Sequence, residues 1–113
     1  MAVIAVLSNL PDSESAFNLG RELVRLRLAA CVNVLGAATS FYRWEGREEQ
    51  ATEVPVLLKS TADRYPALEA AIRGLHPYSV PEIVAWPIEQ GSADYLRWVE
   101  EQCQPAPGAS ASP

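Results

Sequence analysis

Little in this chain of 113 residues advertises chemistry. Histidine occurs once, at His76, and cysteine twice, at Cys31 and Cys103, in no paired motif. There is no phosphate-binding glycine loop, no Cys-x-x-Cys, no G-x-S-x-G elbow and no second histidine, so the usual signatures of nucleotide, redox and nucleophilic sites are missing. With no recognisable catalytic set, an enzyme is not expected. Positive charge is also scarce. Nine Lys and Arg against 14 Asp and Glu give a net charge of −5, and the pI is near 4.8. Non-specific binding to nucleic acid needs a basic face, so that class of partner is set aside. No run approaches the roughly 20 apolar residues of a membrane helix. The apolar start, Ala2 to Leu7, lacks the basic segment of a signal peptide and stops too soon. A cytoplasmic protein without a membrane partner is expected, its cysteines free thiols in a reducing compartment.

What is present is a foldable core. Hydrophobic residues make up 49% of the chain. At this length one domain buries about two-thirds of its unfolded surface. Residues 1–103 read as that domain. Residues 104–113, made of Gln, Pro, Ala, Gly and Ser, have nothing to bury and read as a disordered tail.

Along the chain, Ala2 to Leu7 is apolar on both faces and reads as a central strand. Asp12 or Ser13 can cap a helix, with Glu14 in its first turn. Ala16, Leu19, Gly20, Leu23, Leu26 and Ala30 recur at helical steps, predicting a helix from Ser13 to Leu28. A second helix is predicted from Thr61 to Gly74, with Pro66 near its first turn. His76-Pro77-Tyr78-Ser79-Val80-Pro81-Glu82 is a stiffened loop. Ile83 to Trp86 is a short strand stopped by Pro87, and Ser92 can cap a last helix that turns Tyr95, Leu96 and Val99 inward.

Between the first two helices lies a long hairpin, Cys31 to Thr61, turning at Glu45-Gly46. Gly36 is the natural place for a bulge that switches parity, and Pro55 marks an edge or an interruption. Each arm of roughly 14 residues would reach about 46 Å at about 3.3 Å per residue. A globule of this length is only about 34 Å across. The hairpin therefore overhangs, and its tip carries Phe41, Tyr42 and Trp44, which another chain must cover. The element order is that of split β-α-β, ferredoxin-like domains: an α+β fold with an antiparallel sheet, two helices on one face and an added C-terminal helix.

Few side chains are candidates for chemistry. His76 sits in a rigid loop near Glu82 and can bind a metal, move protons or simply bond its own backbone. Cys31 is a second metal ligand or a small buried hydrophobe. Lys59, in the run Val56-Leu57-Leu58-Lys59, is solvated at a sheet edge or is a pocket cation paired with Glu45, Glu53 or Glu82. Trp44, Trp86 and Trp98 read as core and interface groups. Glu48-Glu49 near the turn reads as a solvated edge that discourages aggregation.

Leu28-Ala29-Ala30-Cys31-Val32-Asn33, Thr39-Ser40-Phe41-Tyr42-Arg43-Trp44-Glu45-Gly46, Leu58-Lys59-Ser60-Thr61, His76-Pro77-Tyr78-Ser79-Val80-Pro81-Glu82-Ile83 and Tyr95-Leu96-x-Trp98 together resemble the CutA family of divalent-cation tolerance proteins, from Val3 to Val99. The resemblance implies a ferredoxin-like subunit, a PII-like homotrimer, a cytoplasmic bacterial setting, a role in copper or other divalent-cation tolerance, and no firmly established reaction. No cofactor is expected to be required for folding. Copper binding in the family is attributed to a cysteine ending the first strand and a histidine pair before Pro-Tyr. Here those positions hold Ser8, Leu75 and His76, so only His76 transfers, with Cys31 as a candidate helper. The family's usual Pro-Gly in the first hairpin arm is Gly36-Ala37 here. The alternative is a PII-like sensor or scaffold that binds a small anion or a partner in inter-subunit clefts lined by Lys59, Tyr78, Glu82 and Glu45. Phe41, Tyr42 and Trp44 are then the trimer interface.

Overall fold

The computed structural model describes residues 2–105. In chain order the elements are β1 (Val3–Leu10), α1 (Ser13–Arg25), β2 (Cys31–Val34), β3 (Ala38–Trp44), β4 (Arg47–Thr61), a 3-10 turn (Ala62–Arg64), α2 (Tyr65–Leu75), β5 (Val84–Pro87) and α3 (Ala93–Gln102). Asp12 caps α1 by accepting from the Ser15 N–H at 2.8 Å. The helix stops at Arg25, short of the expected Leu28, because Arg27 takes a left-handed backbone (φ 59°). The Leu28 and Ala29 N–H groups then turn back onto the Leu23 carbonyl. The second helix begins at Tyr65, not Thr61, since Thr61 still belongs to β4 and the 3-10 turn intervenes. Pro66 sits in its first turn, where its missing N–H has no helical partner to lose.

β4 carries the sheet. It pairs with β1 on one side and with β2 and β3 in succession on the other, and β5 adds to β1, with every pairing antiparallel. The first hairpin arm is thus two strands, not one. Val34 lies opposite Val56, and Ala38 opposite Glu53. Leu35, Gly36 and Ala37 therefore face only Val54 and Pro55, which is a one-residue bulge at the glycine. The Leu35 N–H donates to the Pro55 carbonyl at 2.9 Å. A strand residue points its N and its C=O to the same side, so the proline nitrogen also faces the first arm. The donor that Pro55 lacks falls where the bulge already breaks the ladder, which lets a proline sit in an interior strand.

The bulge changes which side chains face the helices. Ile4, Val6 and Leu10 of β1 and Val56 and Leu58 of β4 bury against α1 and α2. Val3 alternates to the other face, where it joins Ala30, Val99 and Cys103 under α3. Arg27 fastens α3 by donating from Nε to the Gln104 carbonyl and from Nη2 to the Glu101 carbonyl. Gln104, placed in the tail from sequence, is therefore held; the rest of that expectation lies mostly outside the described residues. Beyond α3, none of the described residues covers the second face. Opposite Ala5 and Leu7 it presents Trp86 and Val84, both about half exposed. The long axis is 48 Å, close to the span of β4, and the hairpin tip projects with Phe41, Tyr42 and Trp44 exposed.

Candidate functional site

The loop after α2 folds back over the end of β1 and meets the base of the projecting hairpin. Between them lies a cleft of about 590 Å³, lined by Asn9, Tyr42, Trp44, Glu53, Tyr78 and Glu82 among others. His76 fixes the loop. Its Nδ1 accepts from the Tyr78 N–H at 3.2 Å, so the ring proton is on Nε2, which donates to the Asn9 carbonyl at 2.7 Å. The ring is only 7% exposed and packs against Tyr78 with centroids 4.9 Å apart. Both nitrogens are occupied, so this imidazole acts as a strut between loop and strand.

Two carboxylates face the cleft. Glu82 accepts from Asn9 Nδ2 at 2.8 Å. Glu53 accepts the Tyr78 hydroxyl proton at 3.1 Å and is 8% exposed. Burial, and then the Glu53 carboxylate that takes its hydrogen bond, push the Tyr78 phenol up to about 12. It stays a neutral donor near neutrality. Among the described residues neither carboxylate has an ion pair. Arg43, between Tyr42 and Trp44 in sequence, is outside the lining and pairs with Glu48 at 3.3 Å.

Within one subunit, the residues expected to line a cleft between subunits stand in separate places. Tyr78 and Glu82 line the cleft of the single subunit. Glu45 is at the hairpin turn with φ 51°, exposed and outside the lining. Lys59 lies six residues along β4 from Glu53, about 20 Å away at about 3.3 Å per residue. It donates to Asn33 Oδ1 at 2.6 Å and meets none of the acids expected for it. Cys31 stands opposite Lys59, with its Sγ 3.6 Å from the same Asn33 oxygen. Nearby, burial and then the Cys31 thiol push the Tyr95 phenol up. Tyr42 and Trp44, expected in a trimer interface, line the cleft of the single subunit, as does Phe41.

Cys31 and His76 do not meet. Cys31 shares the row of Lys59 and Ala5, whereas His76 bonds Asn9, four residues further along β1, or about 13 Å. Ser8 is fully buried with Oγ unpaired, and Leu75 offers only carbon. No group of three or more His, Cys, Asp or Glu side chains gathers among the described residues. A resident copper needs several nitrogen or sulfur donors, and these residues do not fit one. Asn9 was not foreseen as a site residue, and Glu53 was foreseen only as a possible partner of Lys59. The available signal was Glu53 itself, the charge that opens the apolar run Val54 to Leu58, which Lys59 closes.

A domain of this architecture has known counterparts. Residues 4–102 match the family model described as CutA1 divalent ion tolerance protein. The divalent-cation tolerance protein CutA of Thermus thermophilus is 45% identical over 96 residues, 85% of this chain and 93% of that protein. Protein CutA of Mus musculus is 40% identical over 100 residues, though this chain spans 56% of its length. The crystal structure of CutA from Xylella fastidiosa superposes with a TM-score of 0.89 at 38% identity, over 92% of this chain and all of that one. The chain belongs to the CutA1 divalent ion tolerance family. The family's setting is broader than a bacterial cytoplasm: it includes the mouse protein, and the Archaeoglobus fulgidus CutA structure (TM-score 0.87, 31% identity, covering 90% of this chain and 99% of that one) is described as periplasmic. Among the described residues no helix is long and apolar enough to cross a membrane.

Proposed function

We propose that this chain acts in divalent-cation tolerance as a ferredoxin-like subunit of a PII-like homotrimer, in the cytoplasm, as a binding protein and not an enzyme. The observation that carries the trimer is the open sheet face, where Trp86 and Val84 stand uncovered beyond the reach of α3. Three such faces packed about a threefold axis cover one another, and each projecting hairpin extends over a neighbour. Free Cys31 and Cys103 are consistent with a reducing compartment. A divalent cation such as copper is then held weakly, since the one imidazole is engaged as a strut and Cys31 is remote. No metal is needed for folding, because a hydrophobic cluster running from β1 and β4 to α1 and α2 supplies the core. Light scattering coupled to size exclusion tests the assembly: a mass three times that of the chain is expected, and a stable monomer at micromolar concentration refutes it.

A second reading is that the cleft at Tyr78 is a ligand site of a sensor or scaffold. Glu53 favours it: a buried carboxylate that faces a cavity and, among the described residues, has only a neutral donor as partner.

A further inference from the structure

We infer that the cleft takes an organic cation, a primary ammonium or guanidinium group, held by the Glu53 and Glu82 carboxylates and faced by the rings of Tyr42 and Trp44. The inference rests on the second reading above, that the cleft is a ligand site, and names what it binds. It replaces the anion expected from the sequence.

Charge comes first. Glu53 is 8% exposed, yet its only partner among the described residues is the Tyr78 hydroxyl. A carboxylate taken from water is costly unless a cation compensates it. A neutral phenol does so only in part. Glu82 adds a second negative group to the same wall, and among the described residues of the subunit no Lys or Arg lines the cleft. An anionic ligand would meet two carboxylates and no counter-charge.

Orientation follows. Tyr78 holds Glu53 by Oε2, which leaves Oε1 unbonded. Asn9 holds Glu82 by Oε1, which leaves Oε2 unbonded. Each acid is thus steered by a neutral donor and keeps one oxygen for a ligand. The planar fork of a guanidinium, or the three donors of an ammonium, can use both.

The aromatic lining then separates organic from metal cations. Tyr42 and Trp44 line the cleft, and in the single subunit each is 45% exposed. A π-face attracts a weakly hydrated organic cation. It offers nothing to a hard divalent ion, which wants about six to eight oxygen ligands. The volume of about 590 Å³ falls within the range of small-molecule sites.

The test is calorimetric titration of the full chain at low salt with agmatine, putrescine and citrate, together with the Trp44 indole signal by NMR. Agmatine is expected to bind once per chain, more tightly than putrescine, to shift the Trp44 signal, and to weaken as salt rises. Glu53→Gln, which keeps size and the hydrogen bond from Tyr78, should weaken agmatine at least tenfold. Glu82→Gln serves the same purpose if the Glu53 variant does not fold. Unchanged agmatine affinity in either folded variant overturns the assignment. If citrate moves the Trp44 signal and the cations do not, the cleft is a ligand site but the ligand class is wrong. If no probe moves it, both the class and the cleft reading fall.

Discussion

Trp86 offers the most direct test of the assembly. It lies on β5 opposite Ala5, on the face that α3 covers only in part, and belongs to neither buried cluster. Shortening it to alanine should leave the subunit core intact and act on the interface. Its side chain is 45% exposed in the subunit. A tryptophan presents up to about 250 Å², so about 110 Å² remains for a neighbour to cover. At about 25 cal/mol per Å² this contributes about 2.8 kcal/mol per subunit, or about 8 kcal/mol over three. Since about 1.4 kcal/mol is a factor of ten, the trimer dissociation constant should rise by about six decades. The concentration of half-dissociation varies as the square root of that constant, so it should rise about a thousandfold. Light scattering across a dilution series, in moderate denaturant if the wild type does not dissociate, reads this directly. A Trp86→Ala midpoint within threefold of the wild type would show that this face is not buried between subunits.

Three further outcomes follow from single contacts. The Tyr78 phenol is raised from 10 to about 12 in the folded chain, so the fold favours its protonated form; its contribution is present below pH 10 and lost as pH rises towards 12, and Tyr78→Phe should flatten that part of the stability profile measured by urea midpoints. An unchanged alkaline slope would mean that burial and the Glu53 hydrogen bond together do not raise the Tyr78 phenol. Ser8 buries a hydroxyl with no partner, so Ser8→Ala should be neutral or stabilising by about 1 kcal/mol, and a clear fall in the denaturation midpoint would contradict the unpaired state. Arg27 combines a left-handed backbone with two hydrogen bonds to the end of α3; Arg27→Gly and Arg27→Ala both lose those bonds, but alanine keeps the strain, so the glycine variant should be the more stable by about 1 kcal/mol, and equal midpoints would remove the strain argument.

Much of the subunit was legible because its signals are local. Three- and four-residue apolar spacing marked α1, Asp12 marked its start, and the residues around Glu45-Gly46 marked the hairpin. Gly36 and Pro55 marked the bulge, since a parity switch and a missing donor are both written in single residues. The end of α1 was not legible: Arg27 adopts a conformation that its residue type disfavours, and only its hydrogen bonds to Glu101 and Gln104, more than seventy positions away, compensate. The site divides in the same way. Tyr78 and Glu82 share a short loop, so their company could be read from the chain. Lys59 and Glu53 are six residues apart on one strand, and a strand separates what a helix would bring close. Only the register of β1 on β4, and the His76 bond to Asn9, decide that Glu53 faces a cleft with neutral donors and no cation. Residue types set the chemistry available to this protein; the pairing of distant strands decided which groups remain uncompensated.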